Sequence, residues 1–475
     1  MPASNQNPLR VAVLADSDTR WKWGALTANR IVSGARSDGG APEGHRLSGY
    51  LLRGRATPTP RQLDEVGVRA DSLREVTAVE FLRETERDAP DVIVLALVGG
   101  AVQAVLHGLA RISQDARLTG GRARRPVVVT GYVGVVYEKL ADGLLLRHGA
   151  DVVLANSRQD AERFRAVYEG VGADASAVTE AALPFLGGAP YEKRDDADER
   201  RDDDAYEKRG DADEKRHPYT VVFAAQPSVP ETAAHRTYLL RRLAEHARLH
   251  PDREVLLKLR SKPGEHTTHI EELPYQKLAQ RIDGGLPANC RLVYGHMGEV
   301  LDRTDLLVTV SSTAALESLH RRIPTAVLTD LGVREALGNH HFTGSGCLAS
   351  WDQLDAGHLP EPDERWLARQ GVAADGAYEK AFDAARQRVE DLLAEAAAGG
   401  LAPLAPYYSL GTARGYLPGI LARHHLGPDG APLPGAPAAD KDPGPVRQIV
   451  RRAARGAYRH GVQRVAPVIR RMGEL

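Results

Sequence analysis

Ser311, Ser312 and Thr313 set three hydroxyls in a row, directly after the apolar run 306–310 and directly before a helical pattern carried by Ala314, Ala315, Leu316 and Leu319. Where a strand hands over to a helix, hydroxyl side chains can cap the first turn, and the unpaired N–H groups there suit a phosphate. Glu317 follows Thr313 by four residues, so both lie along one helix face, about 6 Å apart along the axis. A phosphate at Ser312 and Thr313 would have a carboxylate one turn away, where a nucleotide's ribose could sit. A plain capped core helix fits the same local pattern. Glu317 is no capping-box partner, because Ala314, not a serine, stands three residues before it.

Three further loops carry chemistry. Lys258, Arg260 and Lys262 alternate along a strand end, which keeps them on one side, and their loop continues through Glu265 and His269. Their mutual repulsion is costly unless an anion or carboxylate is present. Asp16, Asp18, Arg20 and Lys22 follow the first apolar run, and Asp16 and Asp18 have the spacing of a metal-binding pair in a position that does not suit one. Gly131, Tyr132 and Gly134 follow another run, where small residues would let a sugar approach the backbone. His296, in Gly295-His296-Met297-Gly298, lies a short helix ahead of the hydroxyl turn. Each loop by itself also reads as a solvated turn.

These loops need strands to present them. Strands are expected at 11–15, 47–52, 92–98, 127–130 and 152–155, with helices between them around 102–112, 138–147 and 159–168. After Pro218 the rhythm restarts, with strands at 219–225, 254–259, 292–294, 306–310 and 325–328 and a helix over 232–249. Alternating strands and helices predict parallel, doubly wound sheets with function at the strands' C-terminal ends. The first loop lacks GxGxxG, so a dinucleotide site is not indicated. Two Rossmann-like domains are expected, 1–189 and 218–400, with the site in a cleft between them. A long helix over 377–398, a helical return segment at 401–427 (the helix itself over 407–424) and a Pro/Gly linker at 428–445 complete the chain.

With 475 residues, 42% hydrophobic and 26% charged, the chain has the balance of a soluble, multidomain globular protein. A formal net charge of −1 gives no reason to expect a nucleic-acid partner. Cys290 and Cys347 form no CxxC or Cys/His cluster, and no run approaches the ~18 apolar residues of a membrane span. No signal peptide is evident, so a cytoplasmic protein is expected. The stretch from Tyr191 repeats fifteen residues later from Tyr206 as a mixed-charge duplication, and 190–217 reads as a disordered linker. The tail 446–475 alternates apolar residues with arginines. It reads either as a peripheral helix on the anionic inner membrane face or as a helix docked on the protein itself.

Asp151 through Asn156-Ser157, and the run Asp305 to Ser318 followed by Arg322-Ile323-Pro324-Thr325, resemble a GT-B glycosyltransferase. The hydroxyl turn with its downstream Glu is similar to that of bacterial capsule-type polysialyl- and glycerophosphotransferases. Phe223 to Pro227, and Lys258 through Glu265 to His269, look more closely like an actinobacterial glycosyltransferase family of unassigned specificity. The resemblance spans about 8–425 without the charged linker. It implies a nucleotide-sugar donor held by the domain 218–400, a glycan or lipid-linked acceptor in surface polysaccharide synthesis handled by the domain 1–189, and no cofactor or metal. Ser311, Ser312, Thr313, Lys258, Arg260 and Lys262 would meet donor phosphate, and Glu317 and Gln226 the nucleotide. Asp16 or Asp18 would deprotonate the acceptor, with His296 and His269 in reserve. Arg20, Gly131, Tyr132, Gly134 and Glu265 would line the cleft. The chain departs from capsule-type enzymes in carrying Lys258-Leu259-Arg260-Ser261-Lys262-Pro263 where they have a His-Pro pair, and their acidic base motif has no clear match. Two alternatives stay open: a non-hydrolysing nucleotide-sugar epimerase, and a non-catalytic protein binding nucleotide sugar or phosphoglycan.

Overall fold

The structure is a computed structural model. It describes residues 8–32, 45–54, 56–118, 125–134, 139–192, 218–262, 265, 273–372, 377–398 and 400–435. His269, nearly all of the charged repeat and the basic tail lie outside the described residues. The chain divides into two compact units. The first holds the described residues of Met1–Phe185 and Ala368–Leu475 together with Glu265, and the second those of Leu186–Lys262 and Leu273–Leu367.

The first unit is built on β1 (Leu9–Ala15), β2 (His45–Leu52), β3 (Ser72–Val76), β4 (Val92–Ala96), β5 (Val127–Gly131), β6 (Val152–Ala155) and β7 (Val178–Glu180). They form one parallel sheet in the order β3-β2-β1-β4-β5-β6-β7. Every residue of β4, β5 and β6 is buried, because helices cover both faces and leave no polar side to the strands. The second unit repeats the plan with β8 (Thr220–Ala224), β9 (Glu254–Lys258), β10 (Cys290–Val293), β11 (Leu306–Thr309), β12 (Thr325–Leu328) and β13 (Leu348–Ala349), in the order β10-β9-β8-β11-β12-β13. In each sheet the order reverses once, between β1 and β4 and between β8 and β11. Those switch points open a crevice at the strands' C-terminal ends.

The opposite edge of each sheet is tied by aspartates. Asp71, Asp91, Asp151 and Asp305 each accept a backbone N–H near the start of a neighbouring strand: Leu47 at 2.7 Å, Arg10 at 2.9 Å, Val128 at 2.8 Å and Thr220 at 2.7 Å. Each returns its own N–H to the carbonyl of the same residue. Asp305 therefore registers strands at the edge away from the crevice.

Two helical expectations need correction. The expected helix over 377–398 is two, Ala377–Lys380 and Asp383–Ala398, with the Phe382 ring docked on the Arg30 guanidinium at 5.0 Å between them. Within 407–424 only Leu417–Ala422 is helical, since Gly411 and Gly415 disfavour a helix and the Tyr408 carbonyl is taken by Gln103 and His107. This segment still packs on the first unit, where Leu417, Leu421 and Leu426 join the core. The chain returns to the first unit at Ala368, well ahead of the boundary expected at 400. No helix among the described residues is long and apolar enough to cross a membrane.

Candidate functional site

In the second unit the switch point is closed by one polar exchange. Gln226, just past β8, accepts the Ser311 N–H at 3.0 Å through its amide oxygen, and the two side chains bond at 3.2 Å. The Ser311 hydroxyl also donates to the Leu337 carbonyl at 2.6 Å, and Ser311 is 3% exposed. These bonds and the burial of Ser311 make Ser311 and Gln226 the frame of the turn. Ser312 and Thr313 are its half-exposed members. Ser312 is fixed by its N–H donating to Thr309 Oγ1 at 3.1 Å, and its own Oγ accepts the Ala314 N–H at 3.2 Å. Thr313 precedes the helix Ala314–His320 in helical conformation, with no side-chain cap bond. Glu317 lies on that helix at 9% exposure.

The cationic residues leave β9, one strand beyond β8 on the same edge. The strand ends at Lys258, so the expected alternation governs only that residue, and Arg260 and Lys262 belong to the loop. Lys258 is buried and its ammonium donates to the Leu259 carbonyl at 2.9 Å. Arg260 is half-buried. Lys262 is exposed, with its ammonium 5.8 Å from the centre of the Tyr294 ring beyond β10. Gln276 braces this corner, donating to the Ser261 carbonyl and the Tyr294 hydroxyl, both at 3.0 Å. His296 follows β10 at the N-terminal cap of the helix Met297–Leu301, its ring against Gly298. One sheet edge thus collects His296, Lys258, Arg260, Lys262, Gln226 and the hydroxyl turn.

The first unit's switch point is bridged in the same way. Asp16, just past β1, accepts the Val98 N–H at 2.9 Å with one oxygen and the Arg20 guanidinium at 2.9 Å with the other. Asp18 opens the helix Asp18–Val32 and is half-exposed. Gly131 is small for a different reason from the one expected. A Cβ there would meet Trp23 at 2.8 Å and the Leu154 carbonyl at 2.9 Å, so the space is filled by the protein's own indole. The carbonyls of Tyr132 and Gly134 accept from Asn156 Nδ2 at 2.7 and 3.0 Å, which orders this loop. Glu265 forms an ion pair with Arg61.

Sequence reasoning missed three residues of this edge. Asn156, the polar exit of β6, was visible as a polar residue ending an apolar strand. Arg147 is buried and donates to the carbonyls of Gly131, Gly143 and Leu97, with its guanidinium 4.0 Å from the Tyr132 ring centre. Burial holds its pKa below the usual arginine value. His424, on the return segment, has a pKa lowered by burial and partly restored by the Asp16 carboxylate. No local pattern marks either one.

The chain matches the profile of the family described as "Putative glycosyltransferase (DUF6716)" over residues 11–392. Among curated proteins none matches it significantly. Solved structures it is similar to include a "putative UDP-N-acetylglucosamine 2-epimerase" from Listeria monocytogenes, at 11% identity and TM-score 0.45, covering 84% of this chain and 99% of that one. The glycotransferase of kitacinnamycin is similar at 14% identity and TM-score 0.38, covering 83% and 97%. The glycosyltransferase SnogD from Streptomyces nogalater is similar at 15% identity and TM-score 0.36, covering 82% and 98%. At these TM-scores the likenesses say nothing about substrate or mechanism. The profile match covers most of the chain and both Rossmann-like units, and on that ground the chain belongs to this glycosyltransferase family.

Proposed function

We propose that the chain moves a sugar from a nucleotide-activated donor to an acceptor hydroxyl, with the second unit holding the donor and the first handling the acceptor. The observation that carries this reading is the second unit's switch-point edge. A hydrogen-bonded frame of half-buried Gln226 and buried Ser311 there holds Ser312 and Thr313 half-exposed, with Arg260 and Lys262 leaving the same edge. Preorganised donors and cations beside a leaving diphosphate lower the barrier because they need no reorganisation as its charge grows. Ser312 and Thr313 would hold phosphate, Arg260 and Lys262 would neutralise it, and buried Lys258 would add positive potential. Glu317 would take ribose hydroxyls.

Both oxygens of Asp16 are engaged, which suits a positioning role, and Asp18, half-exposed where the helix Asp18–Val32 begins, would accept the acceptor's proton. His296 stays in reserve. With cations meeting the leaving group, the transfer needs no metal, and Mg²⁺ or Mn²⁺ should not raise the rate. The acceptor is a glycan or lipid-linked sugar at the cytoplasmic membrane face. Product analysis with a panel of nucleotide sugars tests the reading. Acceptor-dependent release of nucleotide supports it. An isomerised donor sugar without acceptor, or binding with no turnover, would replace it with an epimerase or a binding protein.

A further inference from the structure

A second cluster lies at the opposite end of the second unit's sheet. The helix Ala233–Leu249 starts beyond β8 and ends where β9 is about to begin, so its last turn sits at the strand-entry edge, away from Lys258 and Ser312. That turn carries His246. His250, four residues on, is the cap, outside helical conformation at φ −125° and ψ 74°. The helix Trp351–Asp355 ends against them and contributes Asp355. One ligand atom from each of His246, His250 and Asp355 lies within 4.8 Å of the others.

We infer that His246, His250 and Asp355 form a binding site for a divalent transition metal, of which zinc fits the ligand set best. Two imidazoles and one carboxylate match the borderline character of Zn²⁺. Hard cations such as Mg²⁺ and Ca²⁺ prefer all-oxygen cages. The surroundings support a metal in three ways. His250 Nε2 is out of contact with water and makes no hydrogen bond, a desolvation cost that coordination would remove. Arg242 donates to Asp355 Oδ2 at 3.0 Å, which orients the carboxylate and leaves Oδ1 facing His246. Oδ1 and His246 Nδ1 are already 2.6 Å apart, sharing one proton.

Binding moves the His246 proton from Nδ1 to Nε2, so the imidazole stays neutral, and spreads Nδ1 and Asp355 Oδ1 from 2.6 Å to the edge of about 3.3 Å that tetrahedral coordination needs. The weak 3.5 Å contact from Arg253 to His246 Nε2 yields in the process. The bound ion joins two helices more than 100 residues apart in sequence, at an edge remote from the proposed donor site, so its role is structural.

The test is zinc retention by the full-length chain after chelator treatment, reconstitution and desalting, read by elemental analysis and by thermal unfolding. One equivalent should stay bound and raise the unfolding midpoint, while Mg²⁺ does neither. His250→Gln, at a half-buried helix end where folding should survive, and Asp355→Asn should each lose that equivalent or weaken binding at least tenfold. A wild-type chain that retains no zinc, or variants that retain as much as wild type, would overturn the inference.

Discussion

Asp16 and Asp18 stand two residues apart, yet the fold uses them differently. Asp16 spends one oxygen on the Val98 N–H and the other on Arg20, so its loss should loosen the β1–β4 crevice as well as slow turnover. Asp18→Asn should keep the fold and the donor KM while lowering kcat about 10²-fold or more, the usual effect of losing a general base. Steady-state kinetics beside a thermal melt reads both effects, and an Asp18→Asn enzyme with full kcat would remove Asp18 from the chemistry. At this scale the sequence was informative where neighbours in the chain stay neighbours in space. The Ser311–Thr313 turn and the Lys258–Lys262 exit were legible. Which hydroxyl is free to meet a ligand was not, because the bond from Ser311 to Leu337 spans 26 residues. His424 was invisible for the same reason, reaching the neighbourhood of Asp16 only through the fold.

Strands buried on both faces announce themselves as apolar runs, and β1, β4, β5, β6, β8, β11 and β12 all stood out. β3, β7 and β13 did not. β3 is an outer strand with three of its five residues exposed, and β7 and β13 are three and two residues long at the sheet margins. A strand with one neighbour needs little apolar surface, so its sequence carries little signal. The aspartate ties were also missed, although Asp91, Asp151 and Asp305 each stand immediately before an apolar run. Asp305→Ala should cost about 1–3 kcal/mol, the penalty for leaving the buried Thr220 N–H unpaired. Because this tie lies at the strand-entry edge, nucleotide affinity measured on the folded variant should be unchanged. A tenfold loss of affinity without loss of stability would contradict that placement.

Across the whole molecule, two sheets of the same strand order carry polar bridges at equivalent switch points, Asp16 with Val98 in one and Gln226 with Ser311 in the other. The doubling of the α/β rhythm was legible in the sequence. The return of the chain to the first unit at Ala368 was not, because nothing in the local pattern there distinguishes a crossing from a continuing domain. The first unit also carries a pH liability. His45, His107, His148 and His424 all have pKa values below the ordinary 6.5, burial being the largest cause in each case. Below that value the unfolded chain binds protons that the folded unit resists, so stability present above about pH 6.5 is lost as pH falls. The first unit's unfolding midpoint should drop between roughly pH 7 and pH 5, and a flat or rising midpoint would contradict the burial of these rings. The central claim, a nucleotide-diphosphate site at the second unit's switch-point edge, is tested most directly by thermal unfolding of the wild-type, Ser312→Ala and Arg260→Ala proteins with CMP, CDP, UDP and GDP. At ~100-fold excess over Kd a bound nucleotide adds ~2.7 kcal/mol. The account predicts a clear upward shift for at least one nucleotide that both substitutions reduce, whereas no shift with any of the four, or a shift that both variants keep in full, would contradict it.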